Sequence, residues 1–517
     1  MPEILKNIHR KIFTSNLQIT HFALLVSLLN LVFFHFPFFG FVLNNADYKS
    51  FIGIVLIISL IIAVLLVNAF VFYLMLFLSR YLGKFLLVLS FLISAAAVYF
   101  INTYHVIIDE NVVGSVFNTT YEETSVFLSF TLILYIFLLG VIPSIYIIRT
   151  KIKKDTWKHF LVTSSLTLLF IGLLVIANAN SLPWFHKNYK QLQGLMAPWS
   201  YTISTCQFYS HKHRSDKKEI LLPDATIKDD EKAVVVLVIG ESARKQNFSL
   251  YGYGKNTNPL LSQVPNLSHF PATSCNTYTT ATLKCILRHD DTDDLYEILP
   301  NYLYRNNVEV VWRTTNTGEP PIHIEKYQTR NSLMKYCKGG GCNYDEILLT
   351  GLKEQILASK RNKVLIILHT SISHGPIYSK KYPPRFEIFK PVCNRVEPAE
   401  CSREELFNAY DNTIVYTDYI LYNIIEDLKQ LSEYKSAMIY ISDHGESLGE
   451  KDIYMHGLPM SIAPKEQYEI PFIVWVSEGS KELKTDEILC QNYVFHSVLN
   501  FLHIESPVYN EKMNIFK

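Results

Sequence analysis

AMIYISDHGESLG, residues 437–449, is an apolar run that stops at Ser442 and is followed at once by Asp443, His444 and a glycine-bounded acidic turn. Residues 437–441 read as a buried strand. Adjacent Asp and His at its carboxyl end can both turn toward one cation, giving one oxygen and one nitrogen ligand, a mixture that suits Zn²⁺. In isolation such a pair reads as a turn. The flanking glycines, together with a carboxylate available from a second strand, favour the metal.

That second strand is residues 234–239, which lead directly into Gly240-Glu241-Ser242. Taken alone, Glu241 also fits a helix N-terminal acid. Further apolar runs at 308–312, 364–368 and 472–476 alternate with helical patterns, the clearest at 404–431. Strands alternating with helices predict an α/β domain with a mostly parallel sheet and helices on both faces. In such sheets chemistry gathers at the carboxyl ends of the strands. His369 and His374 follow one of these runs, and His456 sits in YMHGLP. Histidines there can be zinc ligands, acids for a leaving alkoxide or anion-binding donors. The hydroxyl-rich CNTYTTAT, residues 275–282, precedes a helical pattern. It can supply a nucleophile and backbone N–H groups for a phosphate, or simply cap a helix.

Upstream the chain changes character. Its 517 residues are only 18% charged, with Lys+Arg 48 against Asp+Glu 47, and the mean hydropathy is +0.13. Those values exclude a disordered protein, a coiled coil, a small disulfide scaffold and a basic nucleic-acid binder. They average two unlike halves. Apolar runs at 21–43, 51–79, 85–102, 124–148 and 160–181 are each long enough to span a bilayer. Lys6, Arg10 and Lys11 precede the first run, Arg80 and Lys84 separate the second from the third, and five basic residues separate the fourth from the fifth. The 102–124 loop carries only acids: Asp109, Glu110, Glu122 and Glu123. The positive-inside rule therefore places the N-terminus in the cytoplasm and everything after residue 181 outside. Residues 1–181 read as a five-helix membrane domain, 182–232 as an interfacial connection or a solvated linker, and 233–517 as the external catalytic domain.

All eight cysteines follow the last apolar run. Cys275/Cys285, Cys337/Cys342 and Cys393/Cys401 are close pairs, and in an oxidising exterior they read as local disulfides rather than a zinc cluster, since no CxxC occurs. Cys206 and Cys490 are left over.

Together these motifs resemble the phosphoethanolamine transferases of Gram-negative inner membranes, members of the alkaline-phosphatase/sulfatase superfamily that modify lipid A. The matching stretches include VLVIGESARKQNFSLYGY (236–253), the C-x-T-x-T segment at 275–279 and HTSISHGPIY (369–378). They continue with NAYDNTIVYTDYIL (408–421), SDHGESLGEKDIYMHGLPMSIAPKEQ (442–467) and IPFIVW (470–475). The resemblance implies that Glu241, Asp443 and His444 bind zinc, with Thr279 both fourth ligand and nucleophile. It implies that His374 and His456 bind the phosphate or a second zinc, and that His369 fills a further family position. It also implies a lipid-headgroup loop of pattern N-x-x-x-T-x-x-x-E. Ser115, Thr119 and Glu123 fit that spacing, with Ser replacing the family's Asn. Glu123 fits either an ethanolamine partner or a helix N-terminal acid. Asn276, Lys284 and the absence of a lysine after Trp312-Arg313-Thr314-Thr315-Asn316 are further departures.

The expected activity is transfer of phosphoethanolamine from phosphatidylethanolamine to a lipid A phosphate by a monomeric inner-membrane enzyme with a periplasmic domain, which lowers surface negative charge and so bears on polymyxin resistance. A sulfatase is disfavoured because no C/S-x-P-x-R segment occurs. A glycerol-phosphate polymerase shares the five spans and threonine nucleophile, but the cysteine pairs and SDHGESLGE…HGLP speak against it. A receptor or transporter fits poorly with spans whose centres hold no Asp, Glu, Lys or Arg.

Overall fold

The computed structural model describes residues 17–118, 127–215, 219–292, 294–484 and 488–517. The chain divides into two compact units, one of residues 1–117 and 128–211, the other of 118–127 and 212–517.

The first unit is helical. Phe51–Leu78, Arg80–Tyr104, Phe130–Arg149 and Trp157–Ala177 are each long and apolar enough to cross a membrane. The first apolar run is not one straight helix. It forms Ile19–Phe34 and Phe36–Asn45, bent by 65° at His35. Pro37 sits in the first turn of the second helix, where its missing N–H is tolerated, but in a continuous helix its ring would clash with the Phe33 carbonyl, so the first helix cannot run on through it. Counting the bent pair as one span gives five.

Boundaries shift where caps, not apolarity, decide them. Ser79 accepts from the Leu82 N–H, so the third span starts at Arg80 and takes in Lys84. Thr156 caps the helix that begins at Trp157. The 182–232 stretch is helical over Leu182–Leu195 and Trp199–Ser215. No residue of Trp157–Ala177 is buried. Such an apolar surface is unfavourable in water and suits hydrocarbon. Inside the unit, Asn68 donates to Asn30 Oδ1 at 2.9 Å and accepts from Trp199 Nε1 at 2.7 Å, so these buried amides are paired with each other.

The second unit is built on an eight-stranded sheet: β1 (Ala233–Gly240), β2 (Leu267–Thr273), β3 (Glu309–Thr314), β4 (Lys326–Thr329), β5 (Lys363–His369), β6 (Lys435–Ser442), β7 (Glu469–Val476) and β8 (Leu489–Cys490). Their order is β8-β2-β7-β6-β1-β5-β3-β4, and only β7 runs against the others. Strand alternation sorts the core. Val234, Val236, Val238, Ile366, Leu368 and Met438 face one layer, where they pack with Ile414, Leu421 and Ile425 of the helix Arg403–Lys429. Val235, Leu237, Ile239, Leu365 and Ile367 face the other, against Leu283, Tyr302, Phe495 and Val498. Fully apolar central strands covered on both faces are what a parallel sheet requires.

Register then fixes the site. Gly240 lies opposite Ser442, Ile239 opposite His369, and His369 opposite Thr314. Four strands therefore end in one row, and Glu241, Asp443, His369 and Asn316 stand at or just past it.

Candidate active site

Gly240 ends β1 where the Tyr440 hydroxyl comes so close that a Cβ would lie 2.5 Å from it. Beyond it Glu241 and Asp443 are buried, and His444 is fully enclosed. One oxygen of Asp443 accepts two backbone N–H bonds, from Ser242 at 2.9 Å and His444 at 2.6 Å. The other, Oδ2, has no hydrogen-bond partner and lies 3.3 Å from His444 Nε2. Glu241 Oε1 is 3.5 Å from that same nitrogen. Burial drives the Asp443 pKa well above the usual carboxylate range, and the Glu241 charge adds to the effect. Burial also works to raise Glu241, but the imidazoles of His444, His374 and His456 bring it below its ordinary value. Two enclosed carboxylates converging on one imidazole nitrogen, with an orphaned oxygen among them, form a donor set for a cation. The mixture of carboxylate oxygen and imidazole nitrogen fits zinc.

Thr279 completes the group. It is the first residue of the helix Thr279–Leu287, and its Oγ1 is 3.3 Å from both Glu241 Oε2 and His444 Nε2. The Cys275–Cys285 disulfide joins the loop before this helix to its last turn, and Thr277 Oγ1 donates to the Leu458 carbonyl at 2.6 Å. The hydroxyl is thereby held at a helix N-terminus, where backbone N–H groups favour an anion. The other two close pairs are also bonded, Cys337–Cys342 and Cys393–Cys401, and Cys206 and Cys490 are free thiols.

The histidines separate into three positions. His456 lies with its ring centroid 4.1 Å from that of His444, and it can share a cation with Glu241 and His444. Its Nδ1 faces Glu446 Oε2 at 3.0 Å, and burial, with His444 beside it, lowers its pKa to about 3. A neutral imidazole of this kind is suited to coordination. His374 is half-buried, 6.1 Å from His456 between ring centroids, with Nδ1 against the Gly375 carbonyl at 2.8 Å. His369 turns elsewhere: its Nδ1 contacts Glu319 Oε1 at 2.9 Å and its Nε2 contacts Asn316 Nδ2 at 3.2 Å.

Several side chains at the site carry no motif signature. Asn316 donates to Glu241 Oε2 at 2.6 Å, and Ser242 Oγ donates to Glu241 Oε1 at 2.8 Å. Glu446 is enclosed against His456, and burial lifts its pKa to about 8. Asn316 and Glu446 lie inside stretches already conspicuous in the sequence, but their contacts cross 75 and 10 residues. Of the expected headgroup loop, Thr119, Glu123 and the side chain of Ser115 lie outside the described residues.

The sheet order and the row of strand ends define the class first. Residues 233–504 match the sulfatase family, and residues 66–213 match the family described as phosphoethanolamine transferase EptA/EptB. The chain is 38% identical to the phosphoethanolamine transferase EptA of Helicobacter pylori, over 98% of both chains. It is 31% identical to the phosphatidylethanolamine transferase Mcr-1 of Escherichia coli, over 82% of this chain and 84% of that one. The lipooligosaccharide phosphoethanolamine transferase A of Neisseria meningitidis, an integral membrane protein, superimposes with a TM-score of 0.88 at 27% identity, covering 97% of this chain and 99% of that one. The chain belongs to the EptA family of phosphoethanolamine transferases, and it is an enzyme of that class.

Proposed function

We propose that the enzyme moves phosphoethanolamine from phosphatidylethanolamine to a phosphate of lipid A through a covalent intermediate on Thr279. The donor reading is supported by the name of Mcr-1, a phosphatidylethanolamine transferase, and the acceptor reading by that of the Kdo(2)-lipid A phosphoethanolamine 7''-transferase of Salmonella typhimurium, 26% identical over 80% of this chain. The observation that carries the chemistry is the Thr279 hydroxyl, 3.3 Å from both Glu241 and His444 at the start of a helix.

Glu241, Asp443 and His444 would hold one zinc, with Thr279 as fourth ligand. When bound, zinc supplies a lowered pKa at the threonine hydroxyl and a counter-charge for the phosphoryl oxygens. The remaining work falls to the chain. Thr279 Oγ1 forms a bond to phosphorus as the bond to the diacylglycerol oxygen breaks. The hydroxyl proton passes to water, and His374, in its protonated form, gives its proton to the departing diacylglycerol oxygen. His456, neutral and braced by Glu446, orients the phosphoryl group. An oxygen of the acceptor phosphate then bonds to phosphorus, the bond to Thr279 breaks, and Thr279 recovers a proton. Positioning and charge neutralisation supply most of the acceleration in phosphoryl transfer.

The apolar helices tether this chemistry to a membrane, where both lipid headgroups are concentrated. The positive-inside pattern puts the catalytic domain on the periplasmic side of the inner membrane. Capping lipid A phosphates with an ammonium group lowers surface negative charge and weakens attraction for cationic peptides such as polymyxin.

The test is the pair Thr279→Ala and Thr279→Ser, purified full-length and supplied with phosphatidylethanolamine. Mass spectrometry should find phosphoethanolamine on the wild-type protein and none on the alanine variant, with zinc retained in both. Serine should restore a detectable adduct. Transfer to lipid A by the alanine variant would remove Thr279 from the mechanism.

A further inference from the structure

One stretch of the second unit is basic without interruption. Residues 326–344 hold Lys326, Arg330, Lys335 and Lys338 and no Asp or Glu. Lys326 pairs with Glu309 at 2.6 Å and Arg330 with Asp345 at 3.4 Å. Lys335 and Lys338 are exposed, and among the described residues neither makes an ion pair or a side-chain hydrogen bond.

Both lysines sit on a knob that is pinned at its base. The short helix Arg330–Leu333 continues as a turn: Met334 donates its N–H to the Arg330 carbonyl at 2.9 Å, and Tyr336 and Cys337 donate to the Leu333 carbonyl at 2.9 and 3.1 Å. Leu333 is buried in the core, Cys337 packs against it, and the Cys337–Cys342 disulfide closes the loop. Gly341 lies so close to Glu346 that a Cβ would be 2.8 Å from its carboxylate, which Arg385 pairs. With Leu333 and Cys337 turned in, their neighbours are turned out. Met334 is 41% exposed and Tyr336 73%, and the Cβ positions of Gly339 and Gly340 face open space. The tip thus presents a thioether and a phenol ring between two unpaired ammonium groups.

We propose that this disulfide-closed knob, residues 334–341, docks on an anionic phospholipid surface. Its composition is that of an interfacial contact. A tyrosine ring and a methionine enter the headgroup layer, while lysine stems lie along it and keep their ammonium groups at the phosphates. The surface is always at hand, because the apolar helices of the same chain hold the enzyme at a bilayer. Charge selects the lipid. Two unpaired cations in a stretch without acids attract an acidic headgroup such as phosphatidylglycerol and gain little from a zwitterionic one. The contact is separate from the chemistry: Met334, Lys335, Tyr336 and Lys338 contribute nothing to the lining of the cleft that holds His374 and Asn316. The knob holds the domain against its substrate-bearing surface and binds no reacting group.

The experiment uses full-length enzyme in nanodiscs of phosphatidylcholine brominated on its acyl chains, with rising fractions of phosphatidylglycerol. Bromine quenches indole fluorescence on contact. Tyr336→Trp puts an indole on the knob, and the wild type, with its five tryptophans, supplies the background to subtract. These discs contain neither phosphatidylethanolamine nor lipid A, so the result is independent of the reaction proposed above. The added fluorescence should be quenched as phosphatidylglycerol rises. Lys335→Ala or Lys338→Ala should each weaken the contact about fivefold, Lys335→Glu/Lys338→Glu should abolish it, and Lys335→Arg/Lys338→Arg should keep it. No quenching at any composition would reject the membrane as the partner. Quenching already complete in phosphatidylcholine and indifferent to Lys335→Glu/Lys338→Glu would reject an anionic one. Quenching that follows added lipid A but not phosphatidylglycerol would turn the knob into an acceptor contact, and shielding that grows with the number of enzyme copies per disc would give the face to a second copy. Each of these outcomes overturns the proposal.

Discussion

Glu319 Oε1 lies 2.9 Å from His369 Nδ1, and the two form a buried acid–imidazole pair one amide away from Glu241. Burial by itself would neutralise both. The contact overrides it: Glu319 raises the His369 pKa, and His369 lowers that of Glu319. The carboxylate therefore fixes the proton on Nδ1 and leaves Nε2 facing Asn316, whose amide also holds Glu241. Glu319 is a positioning residue.

Replacing it by glutamine keeps an acceptor but removes the charge. Glu319→Gln should reduce transfer about tenfold, in the range seen when supporting residues around metal ligands are changed. Losing a neighbouring negative charge lowers an imidazole pKa, so the limb of the pH–rate profile set by His369 should move to lower pH. Zinc content should hold. An unchanged profile with reduced activity would mean that Glu319 only supports packing.

How far the sequence foretold this arrangement depends on distance along the chain. Asp443 and His444 are neighbours at the end of an apolar run, and Glu241 ends another, so strand termini and parallel register alone bring them together. The three disulfides lie within short loops and were legible for the same reason. His369 shows what needs the fold. Val364, Ile366 and Leu368 face one layer and Leu365 and Ile367 the other, so alternation sends His369 toward Trp312, 6.1 Å away between ring centroids, and so toward Glu319 rather than the cation donors. Its partner is 50 residues distant, across a strand order that no local pattern encodes. In the helical unit, composition located the apolar segments, but Pro37 and the serine and threonine caps set their bends and ends.

Asp418 supplies a pH-dependent prediction outside the site. It accepts from the backbone N–H groups of Leu260 and Leu261 at 2.9 and 3.1 Å. Burial nevertheless lifts its pKa from an ordinary 3.8 to about 7. An acid whose folded pKa is raised contributes stability that is complete below its unfolded pKa and is lost as pH rises through the folded one. Asp418→Asn is neutral throughout and escapes that loss. The melting temperature of the variant relative to wild type should therefore move upward between pH 4 and pH 8, whatever the offset at acid pH. Parallel curves would show that Asp418 does not titrate in this window.

The last prediction concerns the backbone that aims His444. Gly445 donates its N–H to the Gln467 carbonyl at 2.9 Å, and Glu446 donates to the Glu466 carbonyl at 2.8 Å, so the loop carrying His444 is stitched to the segment before β7. A Cβ on Gly445 would lie 2.0 Å from the Glu466 carbonyl oxygen. That neighbour is backbone, held on both sides, and cannot rotate away as a side chain would. Gly445→Ala must push the two segments apart, at a cost of about 1–3 kcal/mol for an overpacked site. The displacement falls on the residue next to His444, whose Nε2 lies within 3.5 Å of both carboxylates and of Thr279. Gly445→Ala should lower the melting temperature and the zinc content together. Gly254→Ala, at a glycine with open space around its Cβ position, should change neither. Full zinc occupancy in Gly445→Ala would show that the loop can shift without moving His444.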